Sequence, residues 1–109
     1  MKTNTQQWSQ TDQKIAQEAL GKAYARETEA LVAEINQKAS QITHINDIWA
    51  LNDYLNSKRY HIDGKYYSSD ATSMFVLAQL VKEKWLTLDE LTGLTPSTRA
   101  KVAALAKMS

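Results

Sequence analysis

Nothing between Ser9 and Ser40 stops a helix, and that run limits the architectures open to the chain more than any other feature. Leu20, Tyr24, Leu31, Ile35 and Ile42 follow Ile15 at intervals suited to one helix face, with Ala16, Ala19, Ala23 and Ala39 beside them. Ser9 reads as the N-cap, and Asp12 places negative charge at the positive end of the helix dipole. Thirty helical residues span about 45 Å, whereas a globule of this size has a radius of gyration of about 13 Å. One end must therefore project or pair with a second copy, unless the chain breaks at Gly21 or between Ser40 and Asn46. With 3 Gly and 1 Pro in 109 residues, long helices are permitted and a many-turned β fold is disfavoured.

The next segment, Ile48 to Tyr66, reads as a helix with two unlike faces that is closed by an Asp-Gly turn. At about 100° per residue, Ile48, Leu51, Leu55 and Ile62 form an apolar, core-facing stripe. Trp49, Asn52, Asp53, Asn56, Arg59 and Tyr60 share the adjoining third of the wheel. A solvated flank seldom gathers a Trp, an acid, an Arg and two Asn, whereas Trp, Tyr and Arg are enriched where chains meet. Asn46 or Asp47 is expected to cap this helix, which runs to about Tyr60. Asp63-Gly64 then makes a turn, with Gly64 supplying positive φ. Asp53 and Arg59 are six apart and cannot pair neatly within one helix. Across a two-fold axis they meet readily; the plain alternative is two unrelated surface charges.

Beyond a loop at 65–69, Ser68 or Ser69 caps a third helix from Asp70 to about Lys84. It is apolar nearly all round at its start and is expected to be the most buried element. Phe75 on such a helix, and Trp85 beside it, are by default core residues; for Trp49 core and surface are more evenly balanced. Thr87-Leu88-Asp89-Glu90 is a capping box, with Leu86 and Leu91 as its hydrophobic staple. Gly93 ends that short helix. Thr95-Pro96 opens the last one, which turns Val102 and Leu105 inward and Arg99, Lys101 and Lys107 outward. The chain is thus all-α and single-domain, with about five helices: an extended helical dimerisation region over about 9–60 and a compact helical head over about 65–109.

Several kinds of chemistry are excluded or disfavoured. The chain has no cysteine, so disulfides, thiolate metal sites and a Cys nucleophile are ruled out. His44 and His61 are its only histidines and neither sits in a metal motif. Three scattered glycines make neither a P-loop nor a dinucleotide turn. No catalytic, cofactor or metal residues are expected, and no run is long and apolar enough to span a membrane. The polar first ten residues hold no signal-peptide core. Net charge is +1, and the best basic stripe, Lys58, Arg59, His61 and Lys65, is short and interrupted by Asp53 and Asp63. A helix–turn–helix over Leu86 to Leu105 is possible by length, but Arg99 and Lys101 are too few cations to favour DNA.

The same residues resemble a known family. Trp49, Asp53-Tyr54-Leu55, Lys58-Arg59 and Ile62-Asp63-Gly64-Lys65-Tyr66 are similar to the central block of the fluorescence recovery proteins of cyanobacteria. So is Phe75-Val76-Leu77-Ala78-Gln79-Leu80-Val81-Lys82-Glu83-Lys84-Trp85-Leu86. Trp8-Ser9, Lys22-Ala23-Tyr24, Arg26-Glu27 and Ala39-Ser40-Gln41-Ile42-Thr43 extend the likeness over essentially the whole chain. The resemblance implies an all-α homodimer that binds no cofactor and acts on the orange carotenoid protein, chiefly on its C-terminal domain. There it speeds return of the red form to the orange form, ending non-photochemical quenching. It further implies dimer or activity roles for Ile48, Trp49, Asn52, Asp53 and Arg59, and client contacts for Phe75 and Lys101. The chain departs from the pattern at Asn52 and Tyr60, each in place of His, at His61 in place of Glu, and at Lys84 in place of Gly. Those departures keep two alternatives in view: a module with a different client in a non-photosynthetic bacterium, and, more remotely, a small helical DNA-binding protein.

Overall fold

The computed structural model describes residues 9–67 and 74–108. Trp8, the Ser68 or Ser69 cap and the expected first turn of the third helix at 70–73 lie outside the described residues. Four α-helices follow one another: α1 (Gln10–Ala39), α2 (Ile45–Tyr66), α3 (Met74–Lys82) and α4 (Pro96–Lys107). Among the described residues a single 3-10 turn (Leu88–Leu91) stands where the short fourth of the five expected helices was placed, so no helix–turn–helix forms there. Among the described residues there is no strand.

Helix α1 is unbroken through Gly21 and carries the fold's long axis. The molecule measures 54 × 30 × 25 Å, with a radius of gyration of 16.8 Å. Ser9 caps α1, its side chain accepting the Asp12 N–H at 3.0 Å. The chain reverses at 40–44. Here Asp47 acts three residues inside α2 rather than at its cap: its carboxylate accepts the N–H groups of Thr43 (3.0 Å) and His44 (3.2 Å). Those two backbone donors hold Asp47 below the usual carboxylate range.

Helix α2 does not stop near Tyr60. It continues to Tyr66, and Gly64 lies inside it without positive φ. The left-handed residue is instead Lys84, at φ 72°. It ends α3 in a Schellman motif, with Trp85 N–H on the Leu80 carbonyl (2.9 Å) and Lys84 N–H on that of Val81 (3.0 Å). Gly93 likewise avoids positive φ and lies close against the Ile15 side chain. A Cβ there would lie 2.6 Å from Ile15 Cδ1.

The core is confined to one end. Ala16, Ala19 and Ala23 of α1 pack with Leu77 and Leu80 of α3, Leu86, Leu91 and Leu94 of the connection, and Val102 of α4. The small residues of α1 let the head approach its backbone closely, and polar ties fix its register. Asp12, buried, accepts from the Thr95 N–H (2.8 Å) and from the Thr95 and Thr98 hydroxyls (both 3.1 Å), placing its charge at the start of α4. Arg26 grips Glu90 through two bonds, 2.9 and 2.6 Å, and donates to the Trp85 carbonyl at 2.9 Å. The expected capping box is present as well, with Glu90 accepting the Thr87 N–H at 3.0 Å. Its carboxyl is held down at about 2, first by Arg26 and then by that N–H.

Candidate functional site

Helix α2 projects beyond the core together with the second half of α1, and this two-helix arm has no third layer. Of its 22 residues only Ile62 and Lys65 are buried, both at its base. Its inward line runs through Asp47, Leu51, Tyr54, Lys58, Ile62 and Lys65, all buried or half-buried. That line is rotated by about 50° from the apolar stripe read from the sequence. Ile62 and Leu51 face α1 as expected, whereas Ile48 and Leu55 are exposed. Along the arm α1 presents Glu34, which accepts the Tyr54 hydroxyl at 2.5 Å. The adjacent carboxylate pushes the Tyr54 phenol up, and Lys38 sits 4.7 Å from the centre of its ring.

The outward side carries the residues read from the sequence as a contact face, all of them exposed. Trp49 is 57% exposed and Ile48 43%, with Asn52, Asp53, Asn56, Arg59 and Tyr60 exposed alongside. Ile45 on α2 and Val32 on α1 are exposed as well. Arg59 pairs with Asp63, one turn on, at 3.5 Å. Among the described residues Asp53 has no ion-pair partner. An exposed pair such as Arg59–Asp63 contributes at most about 1 kcal/mol, so it exchanges readily for another carboxylate.

A second constellation was not read from the sequence as a site. Lys65, expected in a loop, is buried where α1, α2 and α3 meet. Its ammonium has three protons to donate and three neighbours to receive them: Glu27 of α1 (2.9 Å), Glu83 at the end of α3 (2.6 Å) and His61 Nε2 of α2 (3.2 Å). Tyr66 donates to Glu27 at 2.8 Å. Burial, followed by that carboxylate, pushes the Tyr66 phenol far up. Gln79 donates to Glu83 at 2.9 Å. Burial opposes ionisation of Glu83, but the bonds from Lys65 and Gln79 outweigh it and hold the carboxyl below its ordinary value.

Glu27, His61 and Glu83 place ligand atoms within 4.8 Å of one another, close enough to share a metal ion. Lys65 Nζ already occupies that position, so the cation they hold is the chain's own. Its burial also removes Lys65 from the supposed basic stripe. The sequence signal was present in the spacing: Lys65 continues the inward line from Lys58 and Ile62 by seven and three residues. It was masked by reading Gly64 as a turn.

On the head, Phe75 is 68% exposed, against the default expectation of a core position, while Trp85 packs partly buried against the core. Phe75 borders a shallow groove between α3 and α4, lined also by Ala78, Gln79, Lys82 and Leu105. Lys101 is exposed on α4. The expected site residues thus divide into an α2 group and a head group, separated by the Lys65 cluster.

Residues 8–106 match the family model described as photoprotection regulator fluorescence recovery protein. The chain is 44% identical over 101 residues to the fluorescence recovery protein of Synechocystis sp., covering 93% of each. Its fold superposes on the solved fluorescence recovery proteins of Fremyella diplosiphon (TM-score 0.84) and Synechocystis sp. PCC 6803 (TM-score 0.85). In both cases identity is 44%, and the match covers 93% of this chain and 99% of the other.

Proposed function

Because the chain belongs to the fluorescence recovery protein family of photoprotection regulators, we propose that it is a cytoplasmic, non-catalytic homodimer acting on the orange carotenoid protein. Its two-helix arm mates with a second copy, and its head binds the C-terminal domain of the carotenoid protein. Binding speeds return of the red form to the orange form. Such a regulator makes and breaks no bond; it favours one state of its client, and the barrier to it, by differential affinity.

The observation that carries this reading is the exposure of Ile45, Ile48, Trp49 and Leu55 along one helix of the isolated chain. A two-layer arm cannot cover them, and a second arm does. Trp49, Asn52, Asp53 and Arg59 lie beside them as polar partners. In a two-fold arrangement Arg59 of one protomer meets Asp53 of the other. Phe75 and Lys101 then stand clear of that interface for the client.

Light-activated orange carotenoid protein, returned to darkness with a molar excess of this chain, should revert faster than alone. An unchanged reversion rate removes the client. Sedimentation at micromolar concentration should give twice the chain mass of 12.3 kDa. A lone particle across the accessible concentrations removes the dimer.

A further inference from the structure

The buried cluster is the principal polar link between the docking helix and the head, and one of its members reaches the head surface. Gln79 borders the groove beside Phe75 and also donates to Glu83. Glu83 accepts from Lys65, which is rooted in α2 and tied to α1 through Glu27. An uninterrupted chain of hydrogen bonds therefore runs from the groove, through Gln79, Glu83 and Lys65, into the base of α2. Buried polar networks of this kind respond as units, because a donor or acceptor left unpaired in a low-dielectric interior is costly.

We propose that Glu83 is a positioning residue that couples the head groove to the α2 face. With Gln79 in place Glu83 is aimed at Lys65 and the base of α2 is held. Drawing Gln79 into the groove, toward the client proposed above, loosens that hold. Coupling of this sort is reciprocal, so covering the α2 face likewise presets the groove. The consequence for self-association rests on the dimer read above; the coupling within one chain does not.

The test uses the full chain with Gln79→Ala and Gln79→Glu, and with Lys82→Ala as a groove-lining control outside the hydrogen-bond chain. Amide exchange at residues 60–66 of α2 and the dimer dissociation constant are measured for each. Gln79→Ala should raise both by about threefold, the effect of one lost, half-buried hydrogen bond. Gln79→Glu, nearly the same shape but repelling Glu83, should raise both by about tenfold. Lys82→Ala should change neither. If Gln79 acts only by packing, the Glu variant is the milder of the two, and that order overturns the proposal. Unchanged α2 exchange in both Gln79 variants overturns it as well. Should the unsubstituted chain prove monomeric, the dimer reading falls, and the exchange measurement alone decides the coupling.

Discussion

The head and the arm are made of the same helix, α1, yet they are held together by different physics. In the head Leu77, Leu80, Leu91 and Val102 are fully buried against the alanines of α1. In the arm, beyond Glu27 on α1 and before Ile62 on α2, no described residue is fully buried. A helix pair has one shared seam, and here much of it is polar: Glu34, Tyr54 and Lys38 on one stretch, Lys58 and Asp47 on others. The head carries the apolar core, whereas the described arm has no fully buried residue of its own.

Truncation should expose that contrast most strongly. Leu80→Ala in the head is expected to cost about 2–5 kcal/mol, the range for emptying a packed leucine site. Leu55→Ala in the arm, at protein concentrations too low for self-association, should cost under about 0.5 kcal/mol, as exposed substitutions do. Chemical denaturation of both variants checks the pair; equal losses would show that the arm has a core of its own.

Next in size is Ile48→Glu. In the proposed two-fold contact, a carboxylate at this position is buried twice, once in each protomer. The dimer should weaken by about a hundredfold or more, equivalent to about 3 kcal/mol. The melting point of the dilute monomer should stay where it was. Sedimentation that still finds a dimer would place the interface away from α2.

A smaller effect separates the two regions by pH. Glu90 is held at about 2 in the folded head, below its unfolded value of about 4.3. A depressed carboxylate adds stability above its unfolded pKa and loses it as the pH falls toward the folded one. The Arg26–Glu90 tie should thus fade between about pH 4.5 and 2, while Arg26, 44% exposed, keeps its size modest through solvent screening. Glu90→Gln should flatten stability against pH in that window. Glu83, also depressed, acts with the same sign, so part of the slope should survive the substitution. Unfolding curves collected across that range decide it.

How much of this the sequence made legible follows from the kind of signal involved. Local signals read well: the Ser9 cap, the unbroken α1, the Thr95-Pro96 start of α4 and the buried α3 all depend on neighbours in the chain. That Trp49, Asn52, Asp53, Asn56, Arg59 and Tyr60 lie exposed together on α2 also follows from a helical wheel. What failed were features decided by distant partners. Gly64 looked like a turn because glycine favours one, but Lys65 needs a helical backbone to reach Glu27 and Glu83. Glu27 and Glu83 are dozens of residues apart and look like ordinary solvated acids until α1 and α3 are packed together. Phe75 looked like core because its helix is apolar, yet the side of α3 that meets α1 and α4 belongs to Val76, Leu77 and Leu80.

The smallest expected effect concerns the joint between the regions rather than either one. Lys84 takes a left-handed backbone at φ 72°, where a side chain costs about 1–2 kcal/mol and glycine costs little. Glycine is also the residue that the fluorescence-recovery pattern has here. Lys84→Gly relieves that strain but gives the unfolded chain more freedom, which returns about 0.5–1 kcal/mol. The net expectation is a gain of about 0.5–1 kcal/mol, read as a higher melting point. Lys84→Val, β-branched and worse in that region, should lower it. The opposite signs matter more than the sizes, since Lys84 is exposed and neither change disturbs packing. If both variants lowered stability, the ammonium itself would be contributing at the C-terminus of α3, and the turn could not be treated as a backbone device alone.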